Sequence, residues 1–238
     1  MSLTLVIPCY NEAASLPALV ARCAQLTAAA PGVDVILVNN GSTDDSAAVL
    51  TRELASHPRL SSVNVPVNRG YGFGILSGLR TATGDIIGWT HADLQTDVMD
   101  LIPALALFAA APDPAKLFVK GARYGRPLGD RIFTFGMSIF ETLLFGRRLT
   151  DVNAQPTLFA RSFFASWHNP PDDFALDTYA FALARNDGLV VKRFPVLFAN
   201  RQHGQSHWNI NWRAKLKFIR RTLDFSFRLR RELVRGGP

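Results

Sequence analysis

Apolar runs of strand length alternate with segments at helical spacing through the first half of the chain. Thr4-Leu-Val-Ile7, stopped by Pro8, and Val33 to Val38, ending in Asn39-Asn40-Gly41-Ser42, are apolar and β-branched, as strands buried on both faces require. Between them Ser15 to Ala29 places Ala and Leu at helical spacing, and Ser42 or Thr43 is expected to cap a second helix whose first turn holds Asp44 and Asp45. The pattern continues with a strand near Leu60 to Val65, a glycine-rich turn into a helix through Leu79, a strand Ile86 to Trp89 and a helix around Val98 to Ala110 capped by Asp97. A later strand is expected over Leu189 to Phe198. Such alternation predicts an α/β protein with a mainly parallel sheet flanked by helices.

In open parallel sheets ligands bind beyond the carboxyl ends of the strands. Here those ends are polar: Cys9-Tyr-Asn-Glu12, Asn39 to Asp45, Asn68-Arg-Gly-Tyr-Gly-Phe-Gly74 and His91-Ala-Asp-Leu-Gln-Thr-Asp97. Asp93 and Gln95 can offer oxygens to one hard divalent cation, although a carboxylate in a loop also suits a turn or cap. Asn40, Ser42 and Asp44 can bond a base and ribose, or serve as turn and cap groups. Gly70, Gly72 and Gly74 permit close backbone approach, to a phosphate or to a packed neighbour.

Composition narrows the class. With 238 residues, 48% hydrophobic and 19% charged, the chain can bury a real core, and disorder is not expected. No internal repeat divides it; composition shifts only near Arg201, which suggests a main domain over 1–205 and a basic amphipathic segment over 206–238. Two cysteines, Cys9 and Cys23, make no disulfide framework, and the start lacks the zones of a signal peptide, so a cytoplasmic setting is expected. No run reaches the ~18 apolar residues of a membrane span. The net charge of +7 and a pI near 9.9 point to anionic partners.

Taken in order, Val6-Ile-Pro-Cys-Tyr-Asn-Glu12, Val38-Asn-Asn-Gly-Ser-Thr-Asp44, Asn68-Arg-Gly to Gly84-Asp85 and Ala92-Asp-Leu-Gln95 resemble the inverting glycosyltransferases of family 2, which have the GT-A fold. The resemblance covers residues 3 to 208 and looks closest to the polyprenyl-phosphate and dolichyl-phosphate sugar transferases, whose metal loop usually reads Asp-Ala-Asp-Leu-Gln. It implies a nucleotide-diphosphate sugar donor held by Pro8, Tyr10, Asn11, Glu12, Asn40, Ser42, Asp44, Arg69, Gly70, Ala92 and Asp93. It also implies Mg²⁺ or Mn²⁺ on Asp93 and Gln95, with His91 at the usual first aspartate; neutral imidazole suits Mn²⁺ better than Mg²⁺. Asn40 stands where many relatives have aspartate, exchanging an acceptor-only group for an amide that also donates.

In the acceptor-binding half, the same resemblance singles out Arg123, Arg131 and Arg201 as groups to grip acceptor or donor phosphate, with His207 in place of a lysine. A polyprenyl phosphate, or another lipid-linked acceptor, is the implied partner. A phosphate acceptor is already ionised and needs alignment more than a base; a hydroxyl acceptor would need a carboxylate, Asp177 or Asp151.

Trp212, Leu216, Ile219, Leu223 and Phe227 follow helical spacing among nine lysines and arginines from Arg213 to Arg235. Such a helix can lie on an anionic membrane surface, dock on a membrane-anchored subunit, or pack on its own domain with the arginines solvated. The expected setting is peripheral association with the inner membrane face. Nucleic-acid binding is disfavoured, because the charge is concentrated in one terminal helix and the strand-end motifs would be unexplained. Two rivals remain: family 2 transfer to a hydroxyl acceptor, and a noncatalytic sugar-nucleotide-binding protein suggested by His91.

Overall fold

The computed structural model describes residues 1–199 and 212–235. In chain order the elements are β1 (Leu3–Cys9), α1 (Leu16–Ala29), β2 (Val33–Asn40), α2 (Ser46–Leu54), β3 (Leu60–Val65), α3 (Tyr71–Leu79), β4 (Ile86–Trp89), α4 (Leu101–Ala109), β5 (Leu117–Tyr124), α5 (Leu128–Phe145), β6 (Thr157–Ala160), α6 (Arg161–Ala165), α7 (Leu176–Asn186), β7 (Val190–Leu197) and α8 (Trp212–Val234). The strands form one seven-stranded sheet in the order β3-β2-β1-β4-β6-β5-β7. Only β6 runs antiparallel to its neighbours.

Side chains alternate across the sheet with period two. Leu3, Leu5, Ile7 and Cys9 of β1 join Val33, Val35 and Leu37 of β2 in one core, against Leu19, Cys23 and Leu26 of α1 and Leu101, Ala104 and Phe108 of α4. Val6, Ile36, Val38 and Ile87 face the other core, with Ile75 and Leu79 of α3 and Tyr179 and Phe181 of α7. Both sheet faces are therefore covered, which explains the unbroken apolar runs of β1 and β2.

Two expected boundaries shift. The second helix begins at Ser46 rather than after Ser42 or Thr43, because those residues are engaged in bonds to the β1 loop. The helix expected from Val98 opens with a 3-10 turn, Val98–Asp100, before α4; Asp97 does cap it, accepting from Met99 N–H at 3.0 Å. Arg22 braces the same carboxylate.

The apolar stripe expected on α8 also sits differently. Leu216 and Phe227 are exposed, whereas Ser226 and Leu229 are buried and Phe225 and Leu233 pack on the core. Apolar residues occur on more than one side of α8, so periodicity admits two stripes and tertiary packing chooses between them.

Candidate active site

The topology gathers the polar loops. Because β1, β2, β3, β4, β5 and β7 run the same way, their carboxyl ends share one edge of the sheet, and the reversed β6 brings its first residue, Thr157, and the preceding Gln155 to that edge. The strand order turns back beside β1, the position at which open α/β sheets form a ligand crevice.

On the expected donor side the loops after β1 and β2 are laced together. Asn11, at φ +55°, donates its N–H to Ser42 Oγ at 3.0 Å, while its Oδ1 accepts from Thr43 N–H at 2.8 Å. Glu12 N–H donates to Ser46 Oγ, and the Glu12 carboxylate accepts from Ser15 Oγ at 2.6 Å. Asp44 takes the N–H groups of Ala13 and Ser46. Desolvation would raise its pKa, but these bonds prevail and hold it below the ordinary carboxylate value. Asn11, Ser42 and Asp44 thus shape this loop pair. Tyr10 projects into solvent and Pro8 is half-buried at the end of β1.

Asn40 is buried. Its Nδ2 donates to Gly70 carbonyl at 3.0 Å, a bond aspartate could not make, and its Oδ1 is buried without a partner. The glycine-rich turn serves packing: a Cβ on Gly70 would lie 2.5 Å from Asp172 carbonyl, one on Gly72 2.5 Å from Pro171 carbonyl, and one on Gly74 2.9 Å from the Asn40 amide. Phe73 N–H closes the contact on Asp172 carbonyl. Arg69 lies over the Phe73 ring and pairs with Asp172 at 3.3 Å.

The loop after β4 carries the candidate metal ligands. Thr90 and Thr96 hydroxyls meet at 3.3 Å and close it, Leu94 adopts φ +55°, and Asp93 Oδ1 accepts Gln95 N–H. Gln95 is tied to the end of β7: Ala199 N–H donates to Gln95 carbonyl at 2.8 Å, and Gln95 Nε2 donates to Ala199 carbonyl. Ala92 is buried beneath the loop. No cluster of three His, Cys, Asp or Glu occurs among the described residues, so the chain offers one carboxylate, with imidazole and amide beside it. That set fits a divalent cation whose remaining ligands come from a diphosphate.

Behind this loop lies a buried polar chain that sequence reasoning did not assemble. Asp177 Oδ1 accepts from Gln155 Nε2 at 2.7 Å and lies 3.8 Å from Lys120 Nζ, which donates to Thr157 Oγ1 at 2.6 Å. Gln155 Nε2 also approaches the Tyr71 hydroxyl at 3.4 Å. Burial pulls Lys120 down to about 8, against the pull of Asp177. Burial raises Asp177, opposed by Lys120 and His91. Tyr71 stacks on Phe174 at 4.8 Å and lies 5.6 Å from the His91 ring, forming an aromatic wall. Tyr71 stands in the glycine-rich segment 68–74, whereas Gln155 carries no sequence signal, because only the antiparallel β6 brings position 155 to this edge.

A second cluster gathers guanidinium groups on one carboxylate. Asp151 pairs with Arg123, whose Nε lies 3.1 Å away, and with Arg126 at 3.5 Å and Arg193 at 3.9 Å. Arg126 Nε is buried without a partner, and Phe198 lies under both Arg123 and Arg126. Desolvation acts to raise Asp151, but the arginines outweigh it and keep the group ionised. Arg131, named with Arg123 as a phosphate-gripping candidate, is exposed on the first turn of α5 and outside this cluster, which Arg126 and Arg193 complete. Arg201, His207 and the boundary at 205/206 lie outside the described residues.

Comparison with known proteins fits this architecture. Solved structures with the same fold include GT-A glycosyltransferases. A mannosyltransferase from Pyrobaculum calidifontis, in complex with GDP-Man and Mn²⁺, superimposes with a TM-score of 0.69 at 19% identity, covering 95% of this chain and 64% of that one. Glucosyl-3-phosphoglycerate synthase from Mycobacterium tuberculosis, with Mn²⁺, UDP-glucose and phosphoglyceric acid, gives 0.71 at 16% identity, covering 96% and 79%. The sequence profile of Glycosyl transferase family 2 matches residues 4–169, and the chain belongs to that family. Undecaprenyl-phosphate 4-deoxy-4-formamido-L-arabinose transferase of Sodalis glossinidius is 45% identical over 113 residues, 45% of this chain and 33% of that protein. The enzyme of the same name from Pectobacterium carotovorum is 40% identical over 115 residues, 46% and 34%. The match thus spans about a third of the length of these curated relatives.

Proposed function

We propose that the chain is an inverting glycosyltransferase that moves a sugar from a nucleotide-diphosphate sugar to a polyprenyl phosphate at the inner membrane face. The observation that carries the acceptor assignment is the cluster of Arg123, Arg126 and Arg193 around the Asp151 carboxylate, with Asp130 acting on Arg126 from the first turn of α5, so that positive charge is in excess at the end of β5. Such a site suits an acceptor phosphate. Of the two carboxylates a hydroxyl acceptor could use as base, Asp177 is buried against Gln155 and Lys120 and Asp151 is held by the arginine cluster, which favours a structural role for both. The similarity to transferases named for undecaprenyl phosphate supports the same acceptor class.

In this reading the β1, β2 and α3 loops hold the nucleotide, and Asp93, with Gln95 and His91, would hold Mn²⁺ or Mg²⁺. When bound, the cation neutralises charge on the departing diphosphate. The arginine cluster aligns the ionised acceptor oxygen opposite the diphosphate; that oxygen forms the new bond to the anomeric carbon as the bond to the diphosphate breaks. The test is transfer of labelled sugar from a panel of nucleotide sugars into organic solvent, with polyprenyl phosphate and either cation. Metal-dependent extraction of one sugar is expected. Label appearing only on a hydroxyl acceptor, or nucleotide binding without turnover on any acceptor, would overturn the assignment.

A further inference from the structure

Helix α5 is amphipathic the wrong way round for a helix facing water. Leu128, Ile132, Phe135, Ile139 and Leu143 are spaced by three or four residues, so they share one face, and each is between 45% and 77% exposed. The buried side is largely polar along most of the helix, with Ser138 8% and Glu141 3% exposed, and turns apolar only at the last turn, where Phe145 is buried and Leu144 packs on the core. Ser138 Oγ accepts from Asp151 N–H, Thr142 Oγ1 bonds Leu149, and Thr134 Oγ1 accepts from Arg126. The polar groups of α5, with Phe145 and Leu144 at its end, thus seat it on the protein, and the stripe from Leu128 to Leu143 is left outside. A stripe of this size on a soluble surface marks an interaction site.

Charge identifies the occupant. Arg131 in the first turn and Arg147 and Arg148 just beyond the last are exposed, whereas the two acids of α5 are the half-buried Asp130 and the buried Glu141. The neighbouring α8 extends the face: Phe227 is exposed with its ring 5.8 Å from Phe140, Arg230 Nε donates to Leu144 carbonyl, and Arg220, Arg228 and Arg231 are exposed. Apolar side chains rimmed by arginines match an anionic lipid surface, with rings and aliphatics at acyl depth and guanidinium groups among headgroups. No helix among the described residues is long and apolar enough to cross a membrane.

We propose that the exposed face of α5, with Phe227 of α8, lies in the interface of an anionic bilayer and sets the end of β5 against the lipid surface. The inference deepens the lipid-acceptor reading and rests on it for its purpose. Arg123 and Leu128 are separated by only four residues, so the arginine cluster and the apolar face adjoin.

The test is flotation of the whole chain with vesicles of phosphatidylcholine alone or with phosphatidylglycerol, both without polyprenyl phosphate. Binding to the anionic vesicles is expected, with a drop of ~10-fold or more in the Phe135→Ser/Ile139→Ser variant. Cys9 and Cys23 are buried, so a dye on Phe135→Cys reports that site and should shift to the blue on vesicles, while one on Val190→Cys should not. Undiminished flotation of the double variant, or a wild-type dimer that this variant dissolves without any vesicle binding, would overturn the proposal. Transfer to a short, water-soluble polyprenyl phosphate is measured separately; its failure would remove the acceptor reading while the vesicle result stands.

Discussion

Lys120 Nζ and Asp177 Oδ1 lie 3.8 Å apart in a site from which both side chains are almost wholly shielded from water. Each charge offsets the desolvation of the other, with Thr157 and Gln155 supplying one hydrogen bond apiece. Lys120→Met would leave the carboxylate buried and unpaired, at a cost of about 3–5 kcal/mol in unfolding free energy. Lys120→Met/Asp177→Asn should recover part of that loss. Denaturant unfolding of Lys120→Met, Asp177→Asn and the double variant against the wild type measures the coupling, and a Lys120→Met loss below about 1 kcal/mol would show that the pair is not ionised.

Asp93 is the carboxylate of the β4 loop proposed to hold the cation. Asp93→Asn is expected to abolish the metal-dependent part of nucleotide binding in calorimetry and to lower transfer by about 100-fold or more, with little change in Tm. Equal nucleotide affinity with and without Mn²⁺ in the wild type would refute the metal role.

Glu141 gives stability a pH dependence. Burial raises its pKa from 4.5 to about 7, opposed by the Thr178 hydrogen bond and Lys120. The folded protein therefore holds a proton that the unfolded chain releases, and the resulting stability is full below 4.5 and lost as pH rises to about 7. At about 1.4 kcal/mol per unit the loss is at most about 3.5 kcal/mol. Glu141→Gln should flatten the wild-type decline in Tm between pH 5 and pH 8; an unchanged slope would assign the decline elsewhere.

Gly72→Ala tests the packing of the glycine-rich turn. The added methyl would meet Pro171 carbonyl at 2.5 Å, and the helix start or the 171–173 segment must move, at about 1–3 kcal/mol. Gly136→Ala, which meets nothing within 4 Å, should be neutral or slightly stabilising. Equal Tm changes for the two variants would mean that the turn yields without cost.

The sequence by itself determined the βαβα half of the fold, since strands buried on both faces must be apolar throughout and their ends must be polar. It also carried the family motifs, which are local in the chain. The arrangement of the second half is set by contacts distant in sequence. Antiparallel β6 brings Gln155 beside Asp177 and Tyr71, and Arg126 and Arg193, rather than Arg131, join Arg123 at Asp151. Helical periodicity shows that α5 and α8 each have an apolar side but not which way it faces. Only the tertiary structure turns the polar side of α5 inward, because Ser138, Thr134 and Thr142 bond to neighbours there, leaving Phe135 and Leu143 facing outward.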